Sequence, residues 1–185
     1  MGSRRRTAGL VGVLLLVQLA GLIVPFDLLL PMVPAEFVED AAASSSQVRT
    51  AVFLLSWNCA LTIGLSIVVW PLFRQHAEGL ALLLVAVSAI MFSLQAVDNA
   101  HLLSMLTLSQ QYVAEGARGD LLWAMAMAVR SGRRWIHYSE LFSIEAWIFV
   151  FYSLLYRAAL VPRALSVFGL LTVILHFTGI VLPFF

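Results

Sequence analysis

Asp98 and His101, and again His137 and Glu140, set a carboxylate and an imidazole three residues apart. On a helix that spacing puts both members of a pair on one face. Carboxylate with imidazole suits zinc, iron or manganese, and helix bundles build metal sites from related i, i+3 pairs. The second pair lies in WIHYSELFSIEAWIFVFYSLLY, residues 135–156, a stretch apolar enough to cross a bilayer that also carries Glu145. An ionisable group inside a membrane span costs roughly 2.5 kcal/mol or more, so it faces protein or a water-filled cavity. At 100° per residue, Glu140 lies about 60° to one side of His137 and Glu145 about 80° to the other, a single polar arc. Glu145 also shares a seven-residue stripe with Tyr138 and Tyr152, whose hydroxyls can bond a carboxyl group.

Two uses of these residues stay open. One is a site for a transition metal or haem, with Asp98, His101, His137 and Glu140 as ligands and Glu145 below them. In the other, Asp98 and Glu140 pair with Arg130, Arg133 or Arg134, and the histidines are hydrogen-bonded packing residues. Nucleophilic catalysis has little support: there is no Gly-x-Ser-x-Gly, and Ser139 and Ser143 beside His137 form no recognisable triad. A P-loop and a dinucleotide fingerprint are absent. So are the matched broken helices of a transporter with inverted halves.

The elements that position these groups follow from composition. Of 185 residues 62% are hydrophobic and 11% charged, with a mean hydropathy of +0.96. Soluble domains carry about 25% charged residues, so this is a membrane protein. A net charge of +1 and the lack of a basic, aromatic-interleaved stripe argue against nucleic acid. The single Cys59 rules out a disulfide framework or a cysteine-rich metal site. All basic residues are arginine, read as the base composition of a GC-rich bacterium.

Five apolar runs are long enough to span: residues 7–30, 51–73, 80–108, 135–156 and 164–182. Residues 31–50 form an acidic outer loop, 74–79 a short basic turn, and 109–120 a polar break. The nine apolar residues 121–129 rise only about 14 Å and predict a non-spanning interfacial or half-buried helix, with Asp120 as its cap. The expected fold is an all-α polytopic transmembrane helix bundle, one domain over 1–185, with five spans plus that short helix. Arg4, Arg5 and Arg6 place the N-terminus in the cytoplasm. The five-span path leaves six arginines inside and five outside; a sixth crossing at 121–129 would make that seven and four. Length decides for five.

In that topology Asp27, Asp98, His101, His137, Glu140, Glu145 and His176 all gather in the outer half. His176 shares a small, polar face with Gly169, Thr172 and Gly179, suited to close helix packing. Asn58, Thr62 and Ser66, and likewise Ser88, Gln95 and Asn99, form stripes able to join helices.

The turn Tyr156-Arg157-Ala158-Ala159-Leu160-Val161-Pro162-Arg163-Ala164-Leu165-Ser166 resembles the Tyr-basic-small…Leu-Pro-Arg-x-Leu-Gly turn of a bacterial membrane family of unknown function, DUF4386. The order of elements is similar over most of the chain. The resemblance implies an integral membrane protein of about five or six helices, and neither a substrate nor catalytic residues.

Two functions fit. The first is a non-catalytic subunit or scaffold of the bacterial cytoplasmic (inner) membrane, joined by buried polar contacts to its own helices, to a membrane-protein partner or to a second copy. The second is a membrane-embedded enzyme or a small-ligand, metal or haem binder, with Asp98, His101, His137, Glu140, Glu145 and His176 around its site. The orientation has a direct test. Ser45→Cys should react with an impermeant thiol reagent added outside intact cells and Ala77→Cys should not; labelling at position 77 would reverse the topology.

Overall fold

The computed structural model describes residues 2–34, 36–116 and 119–182, without the side chains of 2–8. The elements are α1 (Gly2–Leu28), a 3-10 turn (Leu30–Met32), α2 (Phe37–Asp40), α3 (Ser45–Ala114), α4 (Asp120–Ala158) and α5 (Arg163–Val181). Four of them, α1, α3, α4 and α5, are long and apolar enough to cross a membrane.

This differs from five separate spans plus a short helix in two places. The second and third expected runs are one element, α3, broken only at Ala77, whose φ of −162° and ψ of 83° are non-helical. The arms 45–76 and 78–114 fold back on each other. Asn99 Nδ2 donates to Ser56 Oγ at 2.8 Å and Cys59 Sγ faces Gln95 Oε1 at 3.9 Å, pairs roughly equidistant from Ala77. One extended residue suffices because side chains serve the carbonyls of the last turn: Gln75 Nε2 donates to Pro71 O, and His76 Nδ1 lies 3.2 Å from Leu72 O.

The second difference is residues 121–129, which are the opening turns of α4 rather than a separate short helix. The run Arg130-Ser131-Gly132-Arg133-Arg134 reads as a break, yet it contains no proline. One glycine costs only about 1 kcal/mol in a helix. Burial of Ala126, with Leu122, Trp123, Met127 and Val129 packed around it, outweighs that. Asp120 is the first residue of α4, not its cap; Gly119 holds the cap position without a side-chain bond. The expected polar break is shortened from its start, because α3 runs on to Ala114; beyond it Gly116 turns the chain at φ +72°. Arg118, whose side of the membrane relative to Arg133 separates the five- and six-span paths, lies outside the described residues, as do Pro183, Phe184 and Phe185.

Two apolar clusters hold the bundle. At the α2 end, Met32, Phe37, Val38, Val48, Leu102, Met105 and Ala126 are buried together. At the Ala77 end, Leu65, Val69, Phe73, Leu84, Trp147, Phe151 and Leu154 form the other. Polar pairs lock neighbours: Gln18 Nε2 donates to Thr62 Oγ1 at 2.6 Å, joining α1 to the first arm of α3. Trp147 Nε1 donates to Ser66 Oγ at 2.9 Å, joining α4 to the same arm. The outward residues of α1 and α5, among them Leu16, Ile23, Phe168 and Leu175, are apolar and exposed.

Helix α5 rests on α4 through Gly169, where an added Cβ would overlap the ring of Tyr152. The rest of the expected small face is used less: Thr172 Oγ1 donates within its own helix to Gly169 O, and Gly179 has nothing near it. Gly169→Ala should therefore destabilise by about 1–3 kcal/mol, the usual cost of overpacking. In a Tyr152→Ala background the same change should be nearly neutral, and thermal unfolding in detergent measures both. Equal losses in the two backgrounds would remove Tyr152 from the explanation.

Candidate functional site

Between the two apolar clusters runs a polar layer. The second arm of α3 supplies Gln95, Asp98 and Asn99, all buried, and α4 supplies Arg133, His137, Glu140 and Glu145. Gln95 Nε2 donates to Asn99 Oδ1 at 3.0 Å, and Asn99 in turn donates to Ser56, so the amides are satisfied among themselves. The ionisable groups are not.

Asp98, His137 and Glu140 each offer a ligand atom, and the three atoms lie within 4.8 Å of one another. Asp98 is 1% exposed. Its Oδ2 accepts from Arg133 Nη2 at 3.1 Å, while its Oδ1 is buried with no partner. His137 Nδ1 lies 3.6 Å from Glu140 Oε2, too far for a hydrogen bond, and is likewise buried and unpartnered. A buried polar atom left unpaired costs about 1–3 kcal/mol, so this spot favours an occupant that bonds both. Asp98 and Glu140 bring two carboxyl groups to the cluster and Arg133 one guanidinium.

The dimensions suit a small metal ion. Zinc sits about 2.0–2.2 Å from nitrogen and oxygen donors, which puts tetrahedral neighbours roughly 3.4 Å apart. The 3.6 Å pair nearly meets that already, and side-chain rotation closes the remainder. Arg133 on Oδ2 then holds the Asp98 carboxylate while Oδ1 stays available, the outer support that metal-ligating carboxylates have. Two carboxylates and one imidazole leave a coordination position for water, as catalytic sites do.

His101 stays out of this cluster. Its Nδ1 lies 2.8 Å from Val97 O on its own helix, and its ring lies against Gly132 of α4. Asp98 and His101 share a face, but the groove beside Gly132 takes the imidazole before it reaches His137. Asp27 is exposed and takes no part. Glu145 pairs with His176 of α5: Nδ1 of the histidine meets Oε1, and Oε2 is buried without a partner. Tyr152, expected beside Glu145, lies instead on Gly169. His176 thus has a carboxyl partner on α4 beyond the packing role its small neighbours implied.

Both groups open on one cavity of about 340 Å³. Asp98, Arg133, His137, Glu140, Glu145 and His176 line one side of it, and Leu22, Phe26 and Leu29 of α1 help close the other. The contribution of α1 was not foreseen; its outer half reads as plain lipid-facing sequence. The amide of Gln18, alone in an apolar run, was the available sign that α1 docks.

The turn between α4 and α5 gives its motif residues distinct jobs. Tyr156 lies under the Arg163 guanidinium at 5.7 Å, Ala159 adopts the left-handed conformation at φ 49°, and Pro162 precedes the first turn of α5. An all-helical bundle with helices of membrane-crossing length, closed by this turn, defines the class. The chain belongs to the DUF4386 family, a domain of unknown function, which it matches over residues 7–185. No curated protein and no solved structure matches it.

The ion pair yields a stability test. Arg133→Met strands the buried Asp98 and should cost about 3–5 kcal/mol. Adding Asp98→Leu should restore most of that in thermal unfolding. A single variant as stable as the parent would mean that Asp98 is not charged or not buried.

Proposed function

We propose that this DUF4386 protein is a multi-pass protein of the bacterial cytoplasmic membrane, with its N-terminus in the cytoplasm and a divalent transition-metal site in its outer half. Each arm of α3 crosses once, which with α1, α4 and α5 makes five crossings. Counting back about 20 residues from Tyr156 along α4 puts the outer boundary near Trp135. Asp98, His137 and Glu140 are the protein ligands, and water completes the shell. Arg133 orients Asp98. The donor set favours a non-haem ion, because two of its three members are carboxylates and only His137 is of a type that haem iron takes. One observation carries this reading: three donors of metal-binding type within 4.8 Å, two of them with buried, unpartnered atoms.

A metal in that position acts as a Lewis acid and lowers the pKa of its bound water. Glu145 and His176, across the same cavity, form a carboxylate–imidazole pair able to accept a proton. The second reading is a scaffold or subunit. It is favoured by the bonds Gln18–Thr62, Asn99–Ser56 and Trp147–Ser66, which all serve helix joining and leave no open valence.

Elemental analysis separates the two. Protein purified in detergent, loaded with zinc or manganese and then desalted, should retain about one ion per chain. His137→Ala and Glu140→Gln should each weaken retention at least tenfold, with unchanged helical content by circular dichroism. Wild-type protein without bound metal, or variants that hold it equally well, would leave the scaffold reading.

A further inference from the structure

Above the carboxylate cluster, toward the α2 end, lies a second and larger cavity of about 630 Å³ lined by Arg130, Arg133, Arg134 and His137. It adjoins the metal cluster, with which it shares Arg133 and His137. The three arginines fall at i, i+3 and i+4 on α4, one face of the helix. Asp98 answers only Arg133. Among the described residues Arg130 and Arg134 meet no carboxylate, and Arg133 keeps a buried Nε without a partner. Arg130 and Arg134 therefore bring to the cavity positive charge that no carboxylate among the described residues answers.

Two of these side chains are also held in place. Arg130 donates through Nη2 to Val33 O at 2.6 Å and lies over the Phe37 ring at 5.9 Å. Arg134 lies over the Tyr138 ring at 5.9 Å. A guanidinium has five donors, so each has others to offer, and its planar fork matches a phosphate group. Holding them beforehand lowers the entropy cost of gathering them around a ligand.

The surroundings say what else the ligand contains. The arginine cavity and the 340 Å³ cavity share Arg133 and His137, so the two adjoin at these side chains. The upper one is cationic. The lower one sets a wall of apolar side chains, among them Leu22, Phe26, Ile144 and Ile148, opposite its polar side. Immediately below the arginines, Trp135 is exposed, as aromatic residues are at the headgroup level of a bilayer.

We propose that Arg130, Arg133 and Arg134 bind the phosphate headgroup of an outer-leaflet lipid whose acyl chain enters the lower cavity. This rests on the membrane placement given above and is independent of any metal. The phosphate bridges Arg130 and Arg134 and reaches the free Nε of Arg133.

The test uses the full chain, delipidated in a non-ionic detergent, with chelator present throughout, so that loss of the metal site cannot alter the result. Calorimetric titration with dihexanoyl phosphatidic acid is compared with inorganic phosphate and with dihexanoylglycerol. The phosphatidic acid should bind at least tenfold tighter than either. Arg130→Gln/Arg134→Gln should weaken it at least tenfold, and Arg134→Gln alone should do so severalfold while leaving Arg130 on Val33 and Phe37. Arg157→Gln, at the far end of α4, should leave binding unchanged. Inorganic phosphate bound as tightly as the lipid would overturn the lipid assignment. Dihexanoylglycerol bound equally, or folded arginine variants that bind like the parent, would overturn the arginine site.

Discussion

A carboxylate buried between apolar helices has to be answered by another charge or a cation, and that constraint organises this bundle. Asp98 is almost wholly enclosed on α3, and its counter-charge stands on α4, at Arg133. Removing a carboxylate from water is expensive enough that the two helices must dock in the one register where the pair forms. Once they do, His137 and Glu140 follow one and two turns further along α4 and face the same space. The ion pair answers one carboxylate oxygen and leaves its twin open. One oxygen of this side chain is committed to joining the helices, and its twin is not.

The placement of that pair depends on the apolar clusters above and below it. Neither is continuous with the other; the layer of amides, carboxylates and imidazoles separates them. At about 58 Å, α4 is nearly twice as long as a bilayer core is thick, and the arms of α3 are comparably long. The excess gathers at the α2 end, where the 3-10 turn and α2 cover it. A membrane-length bundle would have ended at the polar layer and left it open to water. The extra turns roof it.

Much of this was legible in the sequence. The helical class and the apolar runs followed from composition, the shared face of His137 and Glu140 from a 100° helical period, and the approach of Asp98 from the antiparallel order of the runs that carry them. The turn 156–166 carried the family. What escaped had local causes. Residues 74–79 look like a loop because they are polar, but Gln75 and His76 serve backbone carbonyls and the helix bends at Ala77 alone. Residues 121–129 are too short to span only if they stop at Arg130, and nothing there stops them. His101 was grouped with Asp98 by spacing; the gap left by Gly132, a residue on another helix, draws it elsewhere. Likewise the partnership of Glu145 with His176 spans thirty-one positions, and no pattern within either helix encodes it.

The unbroken course of α4 has a mechanical side. Its 39 residues carry the covered α2 end, the charged layer and the Arg157 turn on one stiff rod. From His137 to Ala158 that rod is about 30 Å long, so a tilt of about 5° at the polar layer swings its far end by roughly 2.5 Å. The Phe73–Phe151 edge contact and the Trp147–Ser66 bond lie along the swinging part, and α5 is attached to it through Gly169. A tilt of α4 at the charged layer would therefore appear as a displacement at its Ala158 end, with the helix itself as the lever.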